Sequence, residues 1–143
     1  MVHRASWSWS WDLEGGGETC GHRAEGCARR SLVDRAAGAV HTDLALCRLA
    51  AGGRLDAHAH SYERCVYVLG GRPVLELDGK MHQLETGRFA LFPVGVVHAW
   101  RNAGSGRVRW IETQAPQAPR RRSYRWPAHW RRLAGQLGAA EDL

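Results

Sequence analysis

The stretch "HAHSYERCVYVLGG", residues 58–71, carries the reading of the whole chain. Side chains on a strand alternate faces, so His58 and His60 project the same way and can converge on one point. Behind them "RCVYVL" is a β-branched and aromatic run closed by Gly70-Gly71, the pattern of a buried strand. The same grammar recurs on either side. "HTDLALCRLA" (41–50) alternates apolar and polar residues and stops at Gly52-Gly53. "PVLEL" (73–77) and "MHQLE" (81–85) flank Asp78-Gly79-Lys80, and Asp-Gly is a strong hairpin signal. "RFALFP" (88–93), "VVHAW" (96–100) and "RVRWIE" (107–112) follow, separated by Pro93, Gly95 and "NAGSG". Short strands punctuated by turns, with no helices between them, predict an all-β antiparallel sandwich or barrel. No internal repeat is visible, so one barrel is expected over residues 31–117.

The flanks differ in composition from this core. Residues 1–30 are rich in Gly, Trp, Ser and Arg with no sustained period, and a low-order extension is expected there. Residues 118–143 form a basic tail. Within it "APRRRSYRWPAHWRR" (118–132) holds six arginines and no acid, whereas residues 31–117 carry ten basic and eight acidic residues. Most of the formal charge of +6 therefore belongs to the tail. Arginines interleaved with Trp and Tyr can contact phosphates and bases, but no nucleic-acid-binding motif accompanies them, and a solvated tail is expected. Trp126, Trp130, Leu133 and Leu137 recur at helical spacing after Pro127, predicting one short C-terminal helix. No apolar run approaches the roughly 20 residues of a membrane span, and the N-terminus has no apolar signal core. The default expectation is a cytoplasmic protein with Cys20, Cys27, Cys47 and Cys65 reduced. Cys20 and Cys27 flank His22, but their spacing matches no standard zinc module. Cys47 and Cys65 lie in apolar strands and read as buried, inert thiols.

A metal site inside a barrel needs a further ligand from a strand distant in sequence. His98, in "PVGVVHAWRN" (93–102), follows a Pro/Gly turn that would deliver its strand to the barrel mouth. Neutral imidazoles suit transition metals such as Fe, Mn, Ni or Zn, and leave coordination positions open. Trp100 and Asn102 share the face of His98 and are candidate substrate contacts, while His82 belongs to the hairpin. No Ser-His-Asp or Cys-His arrangement has supporting context.

These residues resemble the two signature motifs of the cupin family. The first runs Gly, five residues, His-x-His, three or four residues, Glu, six residues, Gly, and Gly52, His58 and His60 fall in its register. Gly87, Pro93, Gly95, His98 and Asn102 match the second at every specified position. The resemblance, which extends to one half of two-barrel cupins, implies a jelly-roll β-barrel, commonly a homodimer, accepting a small molecule. It also implies one divalent transition metal (Fe, Mn, Ni or Zn) held by His58, His60, His98 and the acid of the first motif. Two alignments compete for that acid. Counting from Glu63 shortens the loop after His60, makes Glu63 the fourth ligand and turns Cys65, Tyr67 and Leu69 inward, with Tyr67 a substrate contact. Counting back from Gly71 places Arg64 in the lumen with Val66 and Val68, leaving a three-histidine site and a guanidinium able to grip a carboxylate. The expected function is a metal-binding barrel for a small polar or carboxylated molecule, with oxygenase, isomerase or hydrolase chemistry within reach. The alternative is a non-catalytic ligand-binding or assembly barrel with a degenerate metal site.

Overall fold

The computed structural model describes residues 18–20, 23–116 and 124–125. Ten strands follow in order: β1 (Glu18–Thr19), β2 (Ala24–Val33), β3 (Asp43–His60), β4 (Glu63–Gly70), β5 (Val74–Leu77), β6 (Lys80–Gln83), β7 (Phe89–Phe92), β8 (His98–Arg101), β9 (Val108–Ala115) and β10 (Tyr124–Arg125). All pairings are antiparallel, and no helix occurs among the described residues. The strand order β6-β5-β8-β3-β9-β4-β7 interleaves distant segments, as a curled jelly roll requires. The expected C-terminal helix falls outside the described residues.

Strand β3 is the spine. Its first half, Asp43 to Leu49, pairs with β9, and its second half, Arg54 to His58, pairs with β8. The switch between partners falls at Gly52-Gly53. A Cβ on Gly53 would lie 2.8 Å from Leu49 Cδ1 and 2.9 Å from both the Ala50 and Glu25 carbonyl oxygens. Only a residue without a side chain lets the backbone turn this tightly against β2. The Asp78-Gly79 signal is also realised, with both residues at positive φ between β5 and β6.

Inward side chains from both halves fill one core. Trp100 on β8 stacks on Trp110 on β9 at 4.9 Å, and Phe92 meets the edge of Trp100 at 6.0 Å. Val66, Val68, Leu49, Leu75 and Val108 complete the packing. The outer face of β4 and β7 stays apolar, with Tyr67, Phe89 and Leu91 exposed.

Two expectations for the N-terminal region are revised. β2 starts at Ala24, inside the segment expected to be of low order, and pairs along β3 from Leu44 to Leu55. Its Arg-rich sequence hides it, because ordering comes from the β3 edge it covers and not from its own periodicity. Cys20 and Cys27 are bonded to each other as a disulfide, not reduced, and both sulfurs join the apolar core. Cys47 is buried as expected, while Cys65 is only partly buried on the outer face of β4.

Candidate metal centre

β3 and β8 bring the histidines together. His58 and His98 are direct cross-strand neighbours, and a bulge between Leu55 and His58 adjusts the register so that both rings point inward. The Pro-x-Gly turn delivers His98: Val96 N–H donates to the Pro93 carbonyl, and Gly95 N–H donates to the His60 carbonyl at 2.9 Å. The ring centroids are 4.3 Å apart for His58 and His98, 4.8 Å for His58 and His60, and 5.1 Å for His60 and His98. One ring nitrogen from each lies within 4.8 Å of the others. All three side chains are buried.

Hydrogen bonds fix the tautomers of two of the rings. His58 Nδ1 lies 2.8 Å from the Asp56 carbonyl, and His98 Nδ1 lies 3.0 Å from the Val96 carbonyl. A carbonyl only accepts, so each Nδ1 carries the proton and each Nε2 presents a lone pair. This is the arrangement that backbone partners impose on metal-ligating histidines. His98 Nε2 is buried with no hydrogen-bond partner among the described residues, a cost that an ion at the cluster would remove. Burial, the largest influence, pushes His58 down to about 4 and His98 down to about 3. It also lowers His60, reinforced by the Arg64 guanidinium and the other two rings. The cluster is neutral at pH 7, the state in which imidazole ligates.

The register of β4 resolves the choice between Glu63 and Arg64. Glu63 is exposed on the outer face, and the group able to hold an ion contains His58, His60 and His98 without it. Arg64 is 5% exposed and faces inward with Val66 and Val68. Packing decides the phase. The cross-strand neighbours of Arg64 are Gln114 on β9 and the buried Phe92 on β7, and Val66 and Val68 on the same face are buried, with Val68 paired opposite the buried Trp110. Tyr67 accordingly lies outside the lumen and is 48% exposed.

Arg64 is engaged within the protein. Its NH1 donates to Glu112 Oε2 at 3.3 Å, and its NH2 donates to Gln114 Oε1 and the Tyr62 hydroxyl, each at 3.1 Å. Glu112 accepts from Arg29 Nε at 2.7 Å and from Trp110 Nε1 at 3.4 Å, and Arg29 also pairs with Asp43 at 2.6 Å. Burial would raise the Glu112 carboxyl, but Arg64 and Arg29 outweigh it and hold the group below its ordinary range. The guanidinium thus balances a buried carboxylate of its own chain instead of presenting itself to a ligand.

The remaining candidates serve the fold. Trp100 is sealed in the core by its stack on Trp110. Asn102 Nδ2 lies 2.8–3.2 Å from the Leu49, Ala50 and Gly106 carbonyls, and its Oδ1 accepts from Gly104 N–H. It clasps the β8–β9 turn to the middle of β3. Glu112 and Tyr62 are site residues that the motifs do not announce. Alternation on β9 offered a clue, since Trp110, Glu112 and Gln114 share one face and the tryptophan marks that face as buried.

The fold is a curled antiparallel jelly roll with three buried histidines gathered on adjoining strands, a group that could hold a metal ion. Residues 45–113, just under half of the chain, match the cupin domain family model, and the barrel they form is a cupin domain. Among curated relatives, polyketide synthase CurC from Streptomyces cyaneus is 31% identical over 96 residues. That match covers 66% of this chain and 62% of CurC, so the chain spans less than two thirds of this relative's length. The polyketide cyclase RemF from Streptomyces resistomycificus superposes with a TM-score of 0.64 at 24% identity, covering 68% of this chain and 70% of that one. An RmlC-like cupin from Shewanella frigidimarina gives 0.62 at 22% identity, covering 81% and 95%. At these identities the two structures show the shared fold alone.

Proposed function

We propose that this cupin binds one divalent transition metal through His58, His60 and His98 and acts on a small, oxygen-rich, anionic molecule of the polyketide class. The observation that carries the reading is the cluster of three buried, neutral imidazoles, with an internally paired arginine where the family motif has an acid. A divalent ion held there supplies Lewis acidity to a carbonyl-bearing ligand. The charge balance supports an anionic ligand. Arg64 offsets Glu112, Arg29 offsets Asp43, and the three rings are neutral, so these paired groups leave the ion's own charge uncompensated among the described residues. Such a centre favours an anionic oxygen donor over a neutral one. Polyketide chains carry 1,3-dicarbonyl units that ionise to enolates, and the likeness to CurC supports that class.

Elemental analysis of protein prepared without chelator or histidine tag tests the metal. About one equivalent per chain is expected, with loss in His98→Ala; less than a tenth of an equivalent, unchanged by that substitution, refutes the reading. Acetylacetone, a minimal 1,3-dicarbonyl, should then perturb the visible spectrum of the Co(II)-loaded protein. The position of Arg64 also favours a second reading, a binding barrel without turnover. Tight binding of a polyketide-type ligand to metal-loaded protein with no product formed would establish it.

A further inference from the structure

We propose that Tyr62, Arg64 and Glu112 are positioning residues for His60, forming a buried relay through which strand β9 sets the orientation of a metal-binding ring. The inference rests on the metal-binding reading above. It starts from a contact that neither sequence motif contains. The ring of Tyr62 stacks on the imidazole of His60, with centroids 4.7 Å apart and planes 18° from parallel. Tyr62 is 2% exposed, so this stack lies inside the barrel. Its hydroxyl is tied to Arg64 NH2 at 3.1 Å, and the guanidinium is itself held on β9 by Glu112 and Gln114. Glu112 is fixed from the far side by Arg29, which Asp43 anchors in turn. The relay crosses from β2 through β9 and β4 to the loop that carries Tyr62, and ends on His60.

Energetics argue that it does more than stabilise. A buried ion pair recovers its desolvation cost poorly, and a well-packed apolar pair of the same volume is often as stable. Here the pair lies beside a cluster able to hold a metal, and its planar guanidinium reaches three acceptors on two elements at once. A planar fork fixes direction in a way that an apolar contact does not. The other two rings are oriented by backbone carbonyls, at Asp56 and Val96. For His60 the stack on Tyr62 supplies a side-chain means to the same end. The relay also accounts for an arginine in the lumen: with Glu112 beside it, the cation works as a fixed fork and its charge is balanced locally.

Cobalt(II) serves as the probe, because its visible bands report ligand geometry as well as occupancy. Full-length wild type is compared with Tyr62→Phe, Tyr62→Leu and Arg64→Lys, reading Co(II) affinity by competition with a chelator and the band positions at saturation. Loss of residues that orient a ligand from behind typically weakens metal binding about 10–100-fold. Tyr62→Leu, which removes stack and hydroxyl, and Arg64→Lys, which keeps the charge but not the fork, should each weaken Co(II) binding at least tenfold and shift its bands. Tyr62→Phe, which keeps the stack, should fall between them and wild type. If Tyr62→Leu and Arg64→Lys bind within twofold of wild type with unchanged bands, the relay is a packing feature and the proposal fails. Should Arg64→Lys not fold, Tyr62→Leu decides alone by the same two readouts. A wild-type protein that takes up no Co(II) overturns the metal reading itself, and the relay with it.

Discussion

Glu63 and Arg64 are adjacent in sequence, yet one is exposed to solvent and the other is enclosed by the barrel. Their consequences differ accordingly. Glu63→Gln should leave metal affinity within twofold and stability within about 0.5 kcal/mol, as for surface sites without special contacts; isothermal titration with Zn(II) and a urea melt measure both. Glu112→Leu should cost about 3–5 kcal/mol, because it strands the Arg64 and Arg29 guanidinia beside an apolar group. A urea midpoint indistinguishable from wild type would show that the network carries no net energy. The histidines set the acid limit. His58 and His98 sit near 4 and 3 in the folded chain, against about 6.5 when unfolded, so the unfolded state binds more protons between those values. Stability of the metal-free protein should therefore be full above about pH 6.5 and decline as pH falls toward 4, by about 1.4 kcal/mol for each unit of separation that is titrated. Thermal midpoints across this window test the sign, and a midpoint that rises on acidification contradicts it.

Among the elements, β3 bears most of the architecture, because it serves both halves of the barrel and bends at Gly52-Gly53. Gly53→Ala drives a methyl into two backbone carbonyls that cannot yield as a side chain would. A loss of about 1–3 kcal/mol is expected, the usual range for overpacking, and a thermal melt at neutral pH reads it. The strand boundaries were legible because Gly, Pro and Asp-Gly punctuate alternating runs. β2 was not legible as a strand, since "AEGCARRSLV" lacks clean alternation and owes its order to the eight residues of β3 that pair with it between Leu44 and Leu55. Trp100 and Asn102 were placed on the correct face, but one is sealed by Trp110 and the other is consumed by a turn. Facing inward does not make a residue accessible to a ligand.

For the whole molecule, the disulfide is the feature that composition alone argues against. Four cysteines with one Cys20–Cys27 bond leave Cys47 and Cys65 as thiols. Thiol titration of protein unfolded without reductant should give two thiols per chain, and four after reduction. Four without reduction would mean that the bond does not form in solution. The sequence by itself determined the barrel, its turns and the three histidines, because these depend on local periodicity and fixed spacing along one chain. Tertiary structure alone decided the phase of β4, the partners of Arg64 and the pairing of the cysteines. A strand's alternation is symmetric between its two faces, and only the neighbours that close over one of them, here Gln114, Phe92 and Trp110, determine which becomes the interior.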